Sequence, residues 1–371
     1  MATASHTFRA LALASAPLFL GLAGCQSMAG DHMGMGMDGG RPMGQPGIAY
    51  SGVKPTADNQ SVLDAMMRLG AKPVHTLTPP EARLQPTFAD GVKSVLADAG
   101  RPTAPPPGVT ARDITVRGAA GNLHAKLYKP DGVSGRLPVI VYFHGGGWVI
   151  ADSNVYDGGA RALAREGRAI VISVDYRLAP EAKFPAQHDD ALAAYRWART
   201  NAASLGGDPA KMALAGESAG GNLAIATAQA LRDAGEALPA AIVSVYPVAG
   251  TDVNTPSYQE NANAKPLNRA GILWFVHHTT KGPADVMDPR LNLVMSNLAG
   301  LPPVTIVAAQ IDPLRSEGAM LADKLRAAGV NVERREFTGA THEFFGADAV
   351  IAQARAAQAF AGTRLRAAFG N

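Results

Sequence analysis

Residues 211–231 have the sequence KMALAGESAGGNLAIATAQAL, and no other segment indicates more about the architecture of this chain. The apolar residues before position 216 predict a buried strand, and residues 221–231 predict a helix. The junction between them is Gly216-Glu217-Ser218-Ala219-Gly220. A Gly-x-Ser-x-Gly sequence at such a junction predicts a sharp turn that presents a serine hydroxyl. Ser218 is therefore a candidate nucleophile, although small residues are frequent here and the pentapeptide alone is open to a chance match.

A serine nucleophile needs a general base, and the base needs an acid that orients it. Residues 304–309 are apolar and predict a parallel strand, and Asp312 follows them closely. Open α/β sheets place their active sites at the carboxyl ends of such strands. His342 is the only histidine after Asp312. The chain order serine, acid, histidine then predicts Ser218 as nucleophile, Asp312 as orienting acid and His342 as base.

Each assignment has a structural alternative. Asp312 is also a suitable cap for a helix starting near Leu314, because Asp is favoured at that position and Pro at the first helical residue. Both roles are compatible. His342 is alternatively a surface loop residue. His277 and His278 lie in a segment rich in Trp and Phe, and we interpret them as lid or core residues.

A third requirement is the stabilisation of a tetrahedral oxyanion by backbone N–H groups. His144-Gly145-Gly146-Gly147-Trp148 follows a predicted strand at residues 137–143, and its glycines allow close approach of the backbone to a substrate oxygen. Candidate donors are Gly145, Gly146 and Gly147, with the N–H of Ala219 after the nucleophile. We expect His144 to hold this loop by hydrogen bonds. A simple flexible turn is the alternative.

These motifs resemble those of the hormone-sensitive-lipase family of α/β-hydrolase esterases, over about residues 105–369. The other matching stretches are Val174-Asp175-Tyr176-Arg177-Leu178-Ala179-Pro180-Glu181, Asp312-Pro313-Leu314-Arg315 and His342-Glu343-Phe344-Phe345. The resemblance implies a serine carboxylesterase that hydrolyses short- to medium-chain esters through an acyl-enzyme. It places the oxyanion donors at Gly146, Gly147 and Ala219, with Gly145 as a further candidate.

The resemblance also implies structural roles for Asp175, Arg177 and Glu181. The chain departs from the family pattern at Glu217, where Asp is frequent, and at Glu343, where a small residue often follows the histidine. These departures leave the acyl-chain preference open. Alternative functions with the same machinery are amidase, lactonase or drug-ester hydrolase, and an inactive hydrolase-fold binding protein is an alternative of another class.

Strand and helix patterns alternate along most of the chain. Apolar stretches predict eight strands near residues 114–116, 123–128, 137–143, 169–174, 212–215, 240–246, 304–309 and 330–337. From the third onward, helical patterns alternate with the strands, near residues 156–165, 186–199, 221–232, 314–328 and 347–368. This alternation predicts an α/β-hydrolase fold with a mostly parallel sheet covered by helices on both faces. The first two strands lack an intervening helix and suggest an antiparallel start.

Two segments fall outside this alternation. Residues 48–104 are predicted to be an N-terminal cap segment, and a further cap insertion is predicted at about 251–299 within a catalytic domain of residues 105–371. Segments that open on an active site commonly form a lid that shapes the substrate pocket. An ordinary surface insertion is the alternative for the second segment.

The N-terminus predicts a destination outside the cytoplasm. Residues 1–24 have the charge and apolar pattern of a secretory signal, and the Leu22-Ala23-Gly24-Cys25 sequence resembles a bacterial lipobox. This resemblance implies cleavage before Cys25, lipidation of that residue and anchoring at the periplasmic face of a membrane. The same resemblance implies the outer membrane, because Gln26 rather than Asp follows the cysteine. An ordinary cleaved signal is the alternative.

Residues 25–47 are rich in Gly and Met and predict a flexible tether, with Cu(I) binding by its methionines and His32 as an alternative. The net charge of +3 comes without a cluster of Arg and Lys, so no nucleic-acid partner is expected. The chain contains neither a Gly-rich nucleotide motif nor zinc-ligand spacing. We expect no cofactor and no metal. The oligomeric state is open.

Overall fold

The computed structural model describes residues 52–370. The predicted signal, Cys25 and the tether of residues 25–47 lie outside this range. The described residues form one eight-stranded sheet with helices on both faces. Its strands are β1 (Val109–Arg117), β2 (Asn122–Pro130), β3 (Leu137–Phe143), β4 (Ile170–Val174), β5 (Gly207–Glu217), β6 (Ala241–Val245), β7 (Val304–Ile311) and β8 (Val332–Thr341).

The strand order is β1-β2-β4-β3-β5-β6-β7-β8. β1 pairs antiparallel with β2, and β2 pairs antiparallel with β4, whereas the other pairs are parallel. The predicted fold class, a mostly parallel sheet with an antiparallel start, is confirmed. The parallel arrangement brings the carboxyl ends of β3, β5, β7 and β8 to one edge, where the site residues follow.

Helices cover the sheet and the edge that carries the site. Within residues 52–370 they are α1 (Ala57–Arg68), α2 (Pro79–Leu84), α3 (Phe88–Asp98), α4 (Asp157–Gly167), α5 (Ala186–Asn201), α6 (Ala219–Asp233), α7 (Pro256–Glu260), α8 (Arg269–Thr279), α9 (Pro283–Val286), α10 (Arg315–Ala327) and α11 (Ala352–Phe369).

Two hydrophobic layers follow from the alternation of side chains along the strands. In β3, Val139 and Val141 pack in the layer formed with α5, α6 and α10. Ile140 and Tyr142 face the opposite layer, formed with α4 and α11. All four side chains are fully buried. β3 is therefore covered on both faces, which explains why its sequence is continuously apolar.

Two boundaries differ from the sequence patterns. β5 begins at Gly207 rather than near residue 212, and its register against β3 shifts between Leu137 and Val139. α11 begins at Ala352 rather than near residue 347, because residues 344–346 form a 3-10 turn first. The domain and cap boundaries remain predictions.

Candidate active site

Ser218 occupies the turn between β5 and α6. Its backbone has φ 56° and ψ −117°, a conformation unfavourable for a residue with a side chain. The flanking glycines make this turn possible. A Cβ at Gly220 would lie 1.9 Å from the carbonyl oxygen of Phe143, and one at Gly216 would lie 2.2 Å from that of Gly220. The sequence therefore builds the strained turn that the motif predicts.

Asp312 and His342 meet at the ends of neighbouring strands. Asp312 directly follows β7 and His342 directly follows β8, and these strands pair in parallel. The Asp312 Oδ2 atom lies 2.7 Å from His342 Nδ1, and both side chains are almost completely buried. Asp312 Oδ1 also accepts the N–H of Leu314 at 2.8 Å. The geometry thus accommodates both the orienting role and the turn-capping role.

The pair fixes the electrostatics of the imidazole. Burial disfavours a charged His342, but the carboxylate of Asp312 outweighs it and raises the pKa of His342 above its usual value. A hydrogen bond from Nδ1–H to Asp312 leaves Nε2 as the acceptor nitrogen of the neutral ring. The ring of Tyr246 packs 4.5 Å from that of His342 and helps to hold it in place.

Ser218 and His342 line the same cavity, of about 150 Å³. Within residues 52–370, no hydrogen bond joins the Ser218 hydroxyl to His342. Such bonds are often long or poorly aligned in the absence of substrate and tighten only in the complex. Ser218, Asp312 and His342 are therefore brought to one edge of the sheet, with the Asp–His contact formed and the Ser–His contact open.

The glycine loop after β3 borders the same cavity. Gly146 and Gly147 line it, with φ of 88° and 57° that favour glycine. Gly145 does not line the cavity, and its carbonyl accepts a contact from the ring of His144 at 2.8 Å. Ala219 is the first residue of α6, where N–H groups lack an intrahelical acceptor.

His144 supports the loop from beneath. It is fully buried, stacks on Tyr176 with ring centres 4.3 Å apart, and burial lowers the pKa of its imidazole. Tyr176 in turn donates its hydroxyl to the His144 carbonyl at 2.8 Å. This geometry agrees with a positioning role for His144.

The residues expected to be structural hold neighbouring loops. Asp175 accepts the backbone N–H of Ser153 at 2.6 Å, and Arg177 pairs with the buried Asp190 at 2.7 Å. Glu181 binds the guanidinium of Arg83 at 2.7 Å. These contacts join the loop after β4 to adjacent segments.

Both predicted cap segments contribute walls to the cavity. Met66 and Phe88 come from the N-terminal segment, while Leu267, Ile272 and Phe275 come from residues 251–299. Trp274 on α8 donates its indole N–H to the carbonyl of Leu77 at 3.0 Å, which joins the two segments. The cavity is therefore mainly apolar around a small polar centre.

His277 and His278, at the end of α8, are not among the residues that line this cavity. His277 is exposed and His278 half-buried. We still interpret them as residues of the covering helix.

Sequence reasoning missed a set of acidic and tyrosine side chains beside the site. Glu217 is buried and bonded by the hydroxyls of Tyr142 and Tyr246, and burial raises its pKa to about 8 despite those bonds. Glu343 accepts the hydroxyl of Tyr156 at 2.6 Å. The signal in the sequence was that Glu217 directly precedes Ser218 and Glu343 directly follows His342.

Residues 52–370 contain no group of three or more His, Cys, Asp or Glu side chains arranged to hold a metal ion. None of their helices combines the length and apolar character needed to cross a membrane.

Known proteins resemble this chain in sequence and in structure. A family model described as the alpha/beta hydrolase fold matches residues 140–346. Carboxylesterase NlhH of Mycobacterium tuberculosis is 42% identical over 256 residues, or 67% of this chain and 80% of that protein. An ethyl acetate hydrolase of Pseudomonas putida is 33% identical over 286 residues, or 76% and 88%. The solved structure of a Pyrobaculum calidifontis esterase has a TM-score of 0.75 at 32% identity, covering 85% of this chain and 98% of that one.

Proposed function

Since this chain belongs to the hormone-sensitive-lipase-like esterases of the alpha/beta hydrolase family and is a carboxylic ester hydrolase, we propose that Ser218 is its nucleophile. His342 is the general base and Asp312 its orienting acid. The observation that carries the proposal is the buried Asp312–His342 contact at 2.7 Å, beside a cavity that Ser218 also lines.

In the first half-reaction, Ser218 Oγ bonds to the ester carbonyl carbon while His342 Nε2 takes the hydroxyl proton. The backbone N–H groups of Gly146, Gly147 and Ala219 stabilise the oxyanion. His342 then gives its proton to the leaving alkoxide as the carbon–oxygen bond breaks. Of the three loop glycines, Gly146 and Gly147 line the cavity and Gly145 does not, whereas Ala219 is placed by its position directly after Ser218 at the start of α6.

In the second half-reaction, a water molecule takes the place of the alcohol. His342 removes a proton from it as the water oxygen attacks the acyl carbon. The tetrahedral intermediate then collapses to the carboxylic acid as the bond from the acyl carbon to Ser218 Oγ breaks, and His342 returns its proton to that oxygen. The Asp312 carboxylate stabilises the imidazolium that forms in both halves. The reaction needs no cofactor.

We infer a preference for short to medium acyl chains. A cavity of about 150 Å³ with apolar walls suits a small ester better than a long lipid chain. The name of the similar ethyl acetate hydrolase agrees with this size. The test measures kcat/KM for a series of p-nitrophenyl esters from acetate to palmitate, with an anilide and a lactone alongside. A maximum of kcat/KM at palmitate would contradict the preference for short to medium chains.

The nucleophile is tested by Ser218→Ala with p-nitrophenyl acetate as substrate. We expect kcat to fall by at least about 10⁴-fold, since the acyl-enzyme no longer forms. Ser204→Ala is the matched control, because that serine lies in an exposed turn and its hydroxyl donates, among the described residues, only to the carbonyl of Asn201. Circular dichroism establishes that both variants fold. A folded Ser218→Ala variant with full activity would refute the assignment.

We also propose, on sequence alone, that the mature protein is lipidated on Cys25 and anchored at the periplasmic face of the outer membrane. Multiple acyl chains give stable anchoring. The test expresses the full chain in a bacterial host and compares it with Cys25→Ser in cell fractions and in detergent phase partition. The serine variant should leave the membrane fraction, and equal partition of the two would contradict the anchor.

A further inference from the structure

The side chain of Glu343 reaches the ester cavity from the turn after β8. Its backbone is left-handed, with φ 72°. The side chain is 23% exposed, whereas that of His342 is 3% exposed. Glu343 is therefore one of the few polar groups in a cavity with mainly apolar walls.

The position of the carboxylate is fixed from two sides. Its Oε1 atom accepts the hydroxyl of the buried Tyr156 at 2.6 Å and lies 4.0 Å from Nε2 of His342. The Tyr156 hydroxyl is itself closely packed, since a Cβ at Gly145 would lie 2.3 Å from it. This carboxylate therefore has little freedom to swing away from the imidazole.

No permanent cation neutralises Glu343 in the described part of the chain. Its only ion-pair neighbour there is His342. Arg83 also lines the cavity, but its guanidinium is occupied by Glu181 and by the carbonyls of Val149 and Ala179. The other titratable groups that act on Glu343 or are acted on by it are Asp312, Glu217, Tyr156 and Tyr246. Each of them is an acid, so the permanent cation among the described residues that line the cavity is Arg83, which is already paired with Glu181.

The position relative to Nε2 determines which part of a substrate meets Glu343. In the proposed mechanism, Nε2 gives its proton to the leaving alkoxide, so the alcohol oxygen lies beside Nε2. A carboxylate 4.0 Å from Nε2 is therefore a neighbour of the alcohol group rather than of the acyl chain. Beside the mainly apolar walls of the cavity, its charge is less screened than it would be in bulk water.

We propose that Glu343 makes the alcohol side of this pocket selective for esters of cationic alcohols, such as amino alcohols and quaternary ammonium alcohols, over neutral and anionic ones of equal shape. The inference rests on the proposed roles of Ser218 and His342. A positive group near the carboxylate gains attraction that a neutral group of the same size does not. An anionic alcohol meets repulsion.

The experiment compares two acetates of nearly equal shape, acetylcholine and the neutral 3,3-dimethylbutyl acetate. The quantity is the ratio of their kcat/KM values, cation over neutral, which cancels effects common to both substrates. We expect this ratio to be about tenfold higher in the wild type than in Glu343→Gln. Glu333→Gln is the matched control, since it removes the same charge at a half-exposed position of β8. It should keep the wild-type ratio.

Where turnover of the two acetates is too slow to measure, each is measured as a competitive inhibitor of p-nitrophenyl acetate hydrolysis. The ratio of their inhibition constants, neutral over cation, then replaces the ratio of kcat/KM values. Equal ratios in the wild type and Glu343→Gln refute the proposal. If the wild type does not hydrolyse p-nitrophenyl acetate, or if Ser218→Ala hydrolyses it as fast as the wild type, the proposed function is refuted instead.

A pH series on the wild type gives a test that needs no variant. Burial raises the pKa of Glu343, so its charge is lost at a higher pH than for an ordinary glutamate. The cation preference of the wild type should therefore decline on mild acidification, whereas the ratio of Glu343→Gln should change less. A wild-type preference that is constant from neutral to acidic pH would contradict the assignment.

Discussion

Asparagine in place of Asp312 separates the two roles that its geometry allows. In the wild type, Oδ1 accepts the N–H of Leu314 at 2.8 Å and Oδ2 contacts His342 Nδ1 at 2.7 Å. An asparagine keeps the first contact through its oxygen and turns its NH₂ group towards the ring. His342 Nδ1 must then accept a hydrogen bond, which places the ring proton on Nε2. A protonated Nε2 is unable to act as base.

The size of the effect follows from the 2.7 Å separation. With an effective dielectric constant of about 20, opposite unit charges at this distance attract by about 6 kcal/mol. This attraction is present only when the imidazolium forms, so it lowers the activation free energy of the reaction. At 1.36 kcal/mol per factor of ten, it corresponds to a loss of about 10⁴-fold in kcat/KM. Unfolding stability should change little, because the Leu314 contact remains.

The assay is p-nitrophenyl acetate hydrolysis from pH 5 to pH 9, with urea unfolding of the same samples. Besides the fall in rate, the acidic limb of any residual kcat/KM profile should move to lower pH, because Asp312 no longer raises the pKa of His342. Asp323→Asn, at a largely exposed position of α10, is the control and should leave both measurements unchanged. If Asp312→Asn keeps its activity, or loses stability instead of rate, the reasoning is refuted and Asp312 is only a cap.

A pair of glycine substitutions and one pH series extend these tests. Gly147→Ala places a Cβ 2.2 Å from the ring of Phe275 at a residue with φ 57°, so it should displace the N–H donors and lower kcat by about 10²-fold or more. The control is Gly318→Ala, at an open position of α10. It should retain activity and raise the free energy of unfolding in urea by about 0.5–1 kcal/mol. Burial raises the pKa of Glu217 to about 8. Between about pH 4.5 and pH 8, the folded state therefore keeps a proton on Glu217 that the unfolded state has already lost. The free energy of unfolding should fall as pH rises through this window, by at most about 5 kcal/mol for this group. Glu217→Gln should reduce that slope without abolishing it, since burial raises the pKa of Glu317 to about 8 as well; an unchanged slope would contradict the assignment.

The main architecture was predictable because it depends on local patterns. Each parallel strand is buried on both faces and so appears as a short apolar run, as at residues 137–143 and 304–309. The turn at Ser218 was predictable because a Cβ at Gly216 or Gly220 would clash with neighbouring backbone, so the turn requires the two glycines of the Gly-x-Ser-x-Gly sequence. Chain order then restricted the proposed acid and base to Asp312 and His342.

Boundaries were less predictable because they depend on contacts made elsewhere. The start of β5 at Gly207 is set by pairing with Leu137 across a register shift. The late start of α11 follows from a turn in which Ala347 and Ile351 donate to the carbonyls of Phe344 and Ala347. Neither feature has a periodic signature in the sequence.

The surroundings of the site depend on contacts between distant parts of the chain. Tyr156 and Glu343 are 187 positions apart, and Glu217 is bonded by tyrosines from β3 and from the end of β6. The sequence indicates that Glu217 and Glu343 adjoin the proposed nucleophile and base. It does not indicate that Glu217 is buried away from the cavity while Glu343 lines it. That difference is set by the backbone of each turn.

The two carboxylates beside His342 act on different nitrogens of its ring. Asp312 contacts Nδ1 from a position that is only 1% exposed, so its charge stabilises the imidazolium whatever the substrate. Glu343 stands near Nε2, at the cavity, where the alcohol must also fit. Both favour a positive ring, but only Glu343 is placed to interact with a charge on the substrate. Removing Asp312 should therefore lower the rate for all esters alike, whereas removing Glu343 should change which esters are preferred.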